Sequence, residues 1–296
     1  MSYIIQFIRG FCMALADSVP GVSGGTIAFI LGFYDKFIGS LNNIMSKDTE
    51  KRKDAIKFLA KLLIGWGFGF ILSVLILGKI FDIHIYQISS LFLGFILFAI
   101  PIVIKDEKES FKKYKNIIFA VIGIALVVII TMLNPSGGEG FNVDVNHLNI
   151  GIILYVFVAA MVAISAMVLP GISGSTLLLI FGLYIPIISA VKELLHLNFS
   201  YLPILIVFGL GVLTGIVTII KLIKKAIEKF RSQTMYFILG LMLGSVYPVI
   251  MGATTLKVPQ PAMDIHTFSI IFFIIGGLVI FGLQKFKSIL EKKENK

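Results

Sequence analysis

Two stretches of this chain concentrate residue types that could do chemistry. Ser18–Tyr34 reads SVPGVSGGTIAFILGFY and Val168–Tyr184 reads VLPGISGSTLLLIFGLY. Eight of the seventeen positions are identical at a constant offset of 150: Pro20/Pro170, Gly21/Gly171, Ser23/Ser173, Gly24/Gly174, Thr26/Thr176, Ile30/Ile180, Gly32/Gly182 and Tyr34/Tyr184. Pro20 with Gly21, and Pro170 with Gly171, are expected to end one helix and turn the chain. Ser23 and its neighbours can cap the next helix, which is expected to run on through TIAFILGFY. Backbone N–H groups of Gly24, Gly25 and Gly174 then gather with the hydroxyls of Ser23, Thr26, Ser173, Ser175 and Thr176 at one tip per motif. Unsatisfied N–H groups, hydroxyl donors and glycines that permit close approach suit an anion. Two such tips could close around one anionic group. A single cluster of this kind also makes a tight turn with no ligand, and it is the duplication that favours the binding role.

Two ionisable residues precede the first motif. Arg9 and Asp17 are eight residues apart, so on a helix they share roughly one face. Ionisable groups at membrane depth are costly and usually functional. Arg9 is a candidate to support the anion, against the alternative that it snorkels to headgroups. Asp17 abuts the motif and is a candidate to carry a coupling proton, against the alternative that it caps the turn. The second motif has Met167 at the position of Asp17, so the halves are not chemically equivalent. His84, His147, His196 and His266 all fall in polar segments between apolar runs. Cys12 is the only cysteine, which excludes an intrachain disulfide and a cysteine-rich metal site; no metal and no cofactor is expected.

The elements that must position these tips are membrane helices. The chain is 57% hydrophobic and 14% charged, with mean hydropathy +0.99. Its apolar runs match the length of about 17–25 residues that crosses a bilayer core of roughly 30 Å. An all-α polytopic membrane protein follows, and a β-barrel, whose segments alternate, is excluded. The net charge of +10 could suggest nucleic acid as partner, but its distribution excludes this. Lys and Arg gather in 42–61, 105–116, 221–232 and 285–296, and are nearly absent from 82–88, 134–149, 192–200 and 253–267. That alternation is the positive-inside pattern. It puts the N-terminus, the basic segments and the C-terminus in the cytoplasm, with membrane lipids as the neighbours of the rest.

Single spans are expected near 62–80, 89–104, 117–133, 202–220, 234–252 and 268–284. Residues 1–41 begin and end on the cytoplasmic side and 150–191 begin and end outside, so each forms a hairpin with the motif in its middle. Residues 1–133 and 150–296 are then two repeats joined by the external linker 134–149, each a hairpin plus three spans. Three spans are an odd number, so the second repeat is inverted relative to the first. A weaker echo, Gly67, Gly69 and Lys79 against Gly209, Gly211 and Lys221 at an offset of 142, fits the same duplication. Inverted repeats with broken helices are characteristic of secondary transporters, whose sites lie near the midplane.

The paired P-G-x-S-G-[GS]-T motifs, each followed by an apolar helix with a Gly-x-Tyr ending, closely resemble the bacterial polyprenyl-phosphate transporter family, formerly a domain of unknown function. The resemblance covers nearly the whole chain. It implies a flippase, not an enzyme, that returns undecaprenyl phosphate from the outer to the inner leaflet of the cytoplasmic membrane for reuse in cell-wall synthesis. Moving a negative charge inward against a negative-inside potential costs about 2.3 kcal/mol per charge per 100 mV. Protons are therefore the expected coupling partner, with Asp17 the local candidate. Oligomeric state stays open.

Three rivals differ in chemistry. The inverted-repeat undecaprenyl-pyrophosphate phosphatases carry a similar P-G-x-S-R-S-G motif, but Gly24 and Gly174 stand where their Arg does. A rhomboid-like protease would use G-x-S-G, yet needs a His beside its Ser within the membrane. A small-anion channel or exchanger is the alternative that sequence excludes least.

Overall fold

Backbone N–H and C=O groups inside a bilayer must pair within their own segment, which leaves helices as the economical solution for continuous apolar runs. The computed structural model describes residues 2–17, 23–73, 83–133, 149–255 and 258–294, and among these every regular element is helical. In the N-terminal half, α1 (Ser2–Asp17) and α2 (Gly24–Ile30) flank the first motif and α3 (Tyr34–Asn43) follows it. Then come α4 (Thr49–Leu72), α5 (Ile85–Asp106) and α6 (Ile117–Met132). In the C-terminal half, α7 (Ile150–Val168) and α8 (Gly174–Ile180) flank the second motif, and α9 (Tyr184–Leu195) follows. The remaining helices are α10 (Leu202–Lys229), α11 (Arg231–Gly244), α12 (Val246–Met251) and α13 (Ile270–Glu294).

Among the described residues six helical stretches are long and apolar enough to cross a membrane: Thr49–Leu72, Ile85–Asp106, Tyr114–Met132, Ile150–Val168, Phe199–Lys229 and Arg231–Thr254. The chain is a multi-pass membrane protein. The span expected at 62–80 begins earlier, because Asp48 caps α4 by accepting from the N–H groups of Glu50 (3.1 Å) and Lys51 (3.3 Å). Residues 74–80 of that expectation, with Lys79, lie outside the described residues, as do residues 134–148 of the linker, with His147.

Helices meet in four principal pairs: α1 with α4, α7 with α10, α5 with α13, and α6 with α11. The first two pairs lie within one half each, and the last two join the halves. Small residues set the seams, because a Cβ on them would strike the facing backbone. A Cβ on Gly65 would lie 2.0 Å from Phe7 O, and one on Gly69 would lie 2.8 Å from Phe11 O. In the second half, Gly211 faces Phe157 O at 2.4 Å and Gly215 faces Met161 O at 2.6 Å. Both seams run in parallel, advancing one turn on each helix per contact. Gly94 with Gly276 forms the α5–α13 seam, and Gly123 with Gly240 the α6–α11 seam.

These seams correct one expectation. The glycines in corresponding places are Gly65/Gly211 and Gly69/Gly215, an offset of 146 and not 142. Gly67 and Gly209 have open space beside them and hold no seam. A coincidence of residue types one turn out of register produced the shorter offset.

The two ends of the bundle differ in chemistry. At one end Arg231 on α11 pairs with Glu107, just past α5, through Nε (3.1 Å) and Nη2, and with Asp35 on α3 through Nη1 (3.0 Å). Ser232 donates to Ser110 O (2.6 Å), and Tyr236 donates to Phe111 O (2.9 Å). At the other end Tyr86 donates to Pro261 O (2.9 Å), and the N–H of Ser269 donates to Ser90 Oγ (2.9 Å). Two segments rich in Lys and Arg, 105–116 and 221–232, thus share one end, and two poor in them, 82–88 and 253–267, share the other. The largest core cluster lies around α2 and gathers residues from α1, α3, α4, α5, α10 and α11.

Candidate functional site

The first motif breaks the chain between α1 and α2. Ser23 adopts extended backbone (φ −126°, ψ 143°) as the N-cap of α2, and its Oγ accepts from Gly25 N–H at 3.1 Å. The helix it starts is short. Gly32 turns left-handed (φ 68°), and Phe33 N–H donates back to Ala28 O at 3.0 Å, a Schellman closure. The same closure recurs at Gly182 (φ 66°), with Leu183 N–H donating to Leu178 O at 2.8 Å. So the helix expected to continue through TIAFILGFY stops at Ile30, and the Gly-x-Tyr ending is a turn into α3, as it is into α9. With seven residues each, α2 and α8 contribute little macrodipole; individual N–H and hydroxyl groups are what the tips offer.

The two motifs, 150 residues apart in sequence, touch. Ser23 Oγ donates to Leu169 O at 3.1 Å. The N–H of Gly171 donates to Thr26 Oγ1 at 2.8 Å. Tyr34 donates to Val168 O at 3.2 Å. Gly25 allows the approach, since a Cβ there would sit 2.8 Å from Val168 O. Gly171 is left-handed (φ 87°) with Leu241 O 2.3 Å from where a Cβ would be, so this turn requires glycine twice over. Ser23 and Thr26 are each 1% exposed. In the second tip Pro170, Gly171, Ser173 and Gly174 are buried and Thr176 is half-buried. Pro20 and Gly21 lie outside the described residues, as does the side chain of Ser175.

Asp17 closes the first tip. Its Oδ1 accepts from Gly24 N–H at 2.6 Å, and its Oδ2 accepts from Trp66 Nε1–H of α4 at 2.9 Å. A carboxylate of the chain itself thereby occupies the first free N–H of α2. Trp66, the only tryptophan of the chain, stacks on Phe70 with ring centroids 5.0 Å apart. In the second half Met167 holds the place of Asp17, its Cβ lying 3.1 Å from where a Cβ on Gly174 would be. In the register of the glycine seams Val212 holds the place of Trp66. Carboxylate and indole are replaced together by apolar side chains.

Comparison with known proteins fits this arrangement. Residues 13–268 match the family model described as undecaprenyl phosphate translocase-like. The chain belongs to that family. Among its relatives, a polyprenyl-phosphate transporter of Staphylococcus aureus (strain NCTC 8325 / PS 47) is 36% identical over 95% of this chain and 96% of its own. A polyprenyl-phosphate transporter of Vibrio cholerae serotype O1 (strain ATCC 39315 / El Tor Inaba N16961) is 31% identical over 83% of this chain and 77% of its own. No solved structure matches the chain.

Against the sequence expectations, the tips come together, and Arg9 makes contacts along α1 and at Phe33. Arg9 stacks over the Phe33 ring, 4.7 Å from its centroid, and reaches Gln6 Oε1 at 3.4 Å. Eight residues of helix separate Arg9 from Asp17 by about 12 Å, roughly the length of α2, so Arg9 lies beside the far end of α2. Trp66 and Tyr34 are the tip-contacting residues that motif reasoning missed. A lone indole flanked by Gly65 and Gly67 within an apolar span was the available signal for Trp66. His84, His196 and His266 lie in segments joining helices, and no group of three or more metal-ligating side chains occurs among the described residues.

Proposed function

We propose that this chain transports polyprenyl phosphate, holding the phosphate where the two motif tips meet. The observation that carries this is the hydrogen bonding of one motif to the other, Ser23 to Leu169 O and Gly171 N–H to Thr26. Family membership and the names of the relatives supply the lipid. The binding set comprises the hydroxyls of Ser23, Thr26, Ser173, Ser175 and Thr176 and the N–H groups of Gly24, Gly25 and Gly174. Pro20, Gly21, Pro170 and Gly171 are the turns that present them. Several of these donors have internal partners, so binding is an exchange: the phosphate takes the place of the Asp17 carboxylate on Gly24. The polyprenyl tail stays in lipid throughout.

The two halves are inverted repeats, residues 1–133 and 150–296. The reciprocal pairing of their helices and the duplicated Schellman turns support this. The end bearing Arg231 and Glu107 faces the cytoplasm of a bacterial plasma membrane, in line with the Lys and Arg distribution. Transport runs from the outer to the inner leaflet to return the carrier for cell-wall synthesis. Asp17 is the coupling group, because two anions cannot share the Gly24 N–H and a proton on either relieves the conflict.

Reconstitution in liposomes tests this. Fluorescent polyprenyl phosphate placed in one leaflet should cross only in vesicles containing the protein, and an imposed proton gradient should change the rate. Passage of chloride or inorganic phosphate without the lipid would instead assign a small-anion exchanger. An impermeant thiol reagent added outside cells should label Asn146→Cys and not Ser110→Cys in a Cys12-free chain; the reverse would invert the topology.

A further inference from the structure

Asp17 accepts two hydrogen bonds, and only one comes from the motif. The second donor, the Trp66 indole, belongs to α4, forty-nine residues along the chain. Three observations fix that donor in place. Its ring is stacked nearly flat on Phe70, with 8° between planes. Its backbone is locked against α1, since a Cβ on Gly10 would lie 2.8 Å from Trp66 N. The Gly65 and Gly69 seam on either side sets α4 against α1 at backbone distance. An indole offers one donor and no acceptor, so it can stabilise a carboxylate but cannot receive a proton from it.

The second half supplies an internal control. Its seam has the same geometry, yet Met167 and Val212 stand in place of the pair. Packing of α7 on α10 therefore needs neither a carboxylate nor an indole at this level. What the pair adds to the first half is polar and concerns Asp17.

We propose that Trp66 is the positioning residue for Asp17: its N–H holds the carboxylate on the Gly24 N–H, and this bond opens and re-forms in each transport cycle. The proposal rests on Asp17 being the coupling group. It assigns the role of a tether to the one tryptophan in the chain, a residue outside both motifs.

Because Trp66 is the only indole, spectroscopy reads the bond directly. The protein in nanodiscs should show the ultraviolet resonance Raman signature of a hydrogen-bonded indole N–H, and Asp17→Ala should shift it toward the unbonded position. Identical spectra would overturn the proposal, and this measurement needs no Trp66 variant to fold. Liposome uptake of fluorescent polyprenyl phosphate reads the role. Trp66→Phe keeps an aromatic ring but loses the donor, and should slow uptake about tenfold, the scale of a lost hydrogen bond to a charged group. Trp66→His, which retains a ring N–H, should recover part of the rate. In an Asp17→Asn background Trp66→Phe should cost nothing more. Equal losses in both backgrounds would mean that Trp66 acts by packing and would overturn the tether. Normal uptake by Trp66→Phe beside a slowed Asp17→Asn would overturn Trp66 alone, whereas normal uptake by Asp17→Asn would overturn the coupling role on which the proposal rests.

Discussion

The two motif tips are near copies in sequence and unequal in surroundings. The first is buried in the largest core cluster, with Thr26 and Tyr34 at 1% and 2% exposure. Tyr184, the counterpart of Tyr34, is 37% exposed. Among the described residues the side chains of Ser23, Thr26 and Tyr34 reach from the first tip to backbone groups of Val168, Leu169 and Gly171 in the second. The first has a carboxylate capped by an indole and the second a thioether. A duplicated motif thus keeps its turn chemistry in both copies while its side-chain chemistry diverges, which suits a single shared site built from two unequal lips.

Making the tips alike should break this arrangement most severely. Gly25→Ser copies the residue of the second tip, Ser175, into a place where a Cβ meets Val168 O at 2.8 Å. Overpacking of this kind costs about 1–3 kcal/mol. Uptake in liposomes should be abolished and the melting temperature lowered, while Ser175→Gly should leave the melting temperature near wild type and slow uptake only by the loss of one hydroxyl. Comparable losses in the two variants would dissolve the asymmetry.

Asp17→Asn comes next. It keeps the shape of the cap but cannot release a proton, so binding should persist while net uptake falls about tenfold or more. Uptake measured from pH 5.5 to 8, with and without a proton gradient, should lose its gradient response. Retention of that response would move the coupling group elsewhere.

The hydroxyls rank lower. Ser23→Ala removes an N-cap and the bond to Leu169 O, and should destabilise the protein by about 1–2 kcal/mol in detergent unfolding. The double variant Ser23→Ala with Ser173→Ala should weaken lipid binding at least about tenfold. Unchanged lipid binding in the double variant would reduce these hydroxyls to turn residues. Smallest of all, Tyr34→Phe should cost about 1 kcal/mol by freeing Val168 O, against a few tenths for Tyr184→Phe. Equal values would show that the bond across the tips contributes nothing.

How far the sequence could be read follows from the kind of interaction involved. The turns at Gly32 and Gly182 were not legible, since a continuing helix was expected through them, whereas the cap at Ser23 was legible because it acts locally, within one turn of helix. So were the spans from 89 to 133 and from 202 to 252, because continuous apolar runs leave the backbone one solution. Tertiary partners were not legible. Nothing in α1 states that Asp17 will meet an indole on α4, and helix periodicity put Arg9 on the face of Asp17 without revealing that Phe33 would receive it. The echo at offset 142 failed for a related reason. Residue types match there, but only the seam shows which glycines, Gly65 and Gly69, are pressed against a neighbour.

The exchanged pairing of α5 with α13 and of α6 with α11 has a consequence for how the chain is made. α5 emerges from the ribosome long before its partner, and at about 5–20 residues per second the wait is roughly 9–36 seconds. Throughout that interval the face bearing Gly94 must rest against lipid or a chaperone, because the surface cut to fit it, around Gly276, has not been synthesised. Neither half can finish assembling before the other. A chain that stops short of Ile270 would leave the Gly94 face of α5 without the surface that fits it, so the pairing that joins the halves waits on α13.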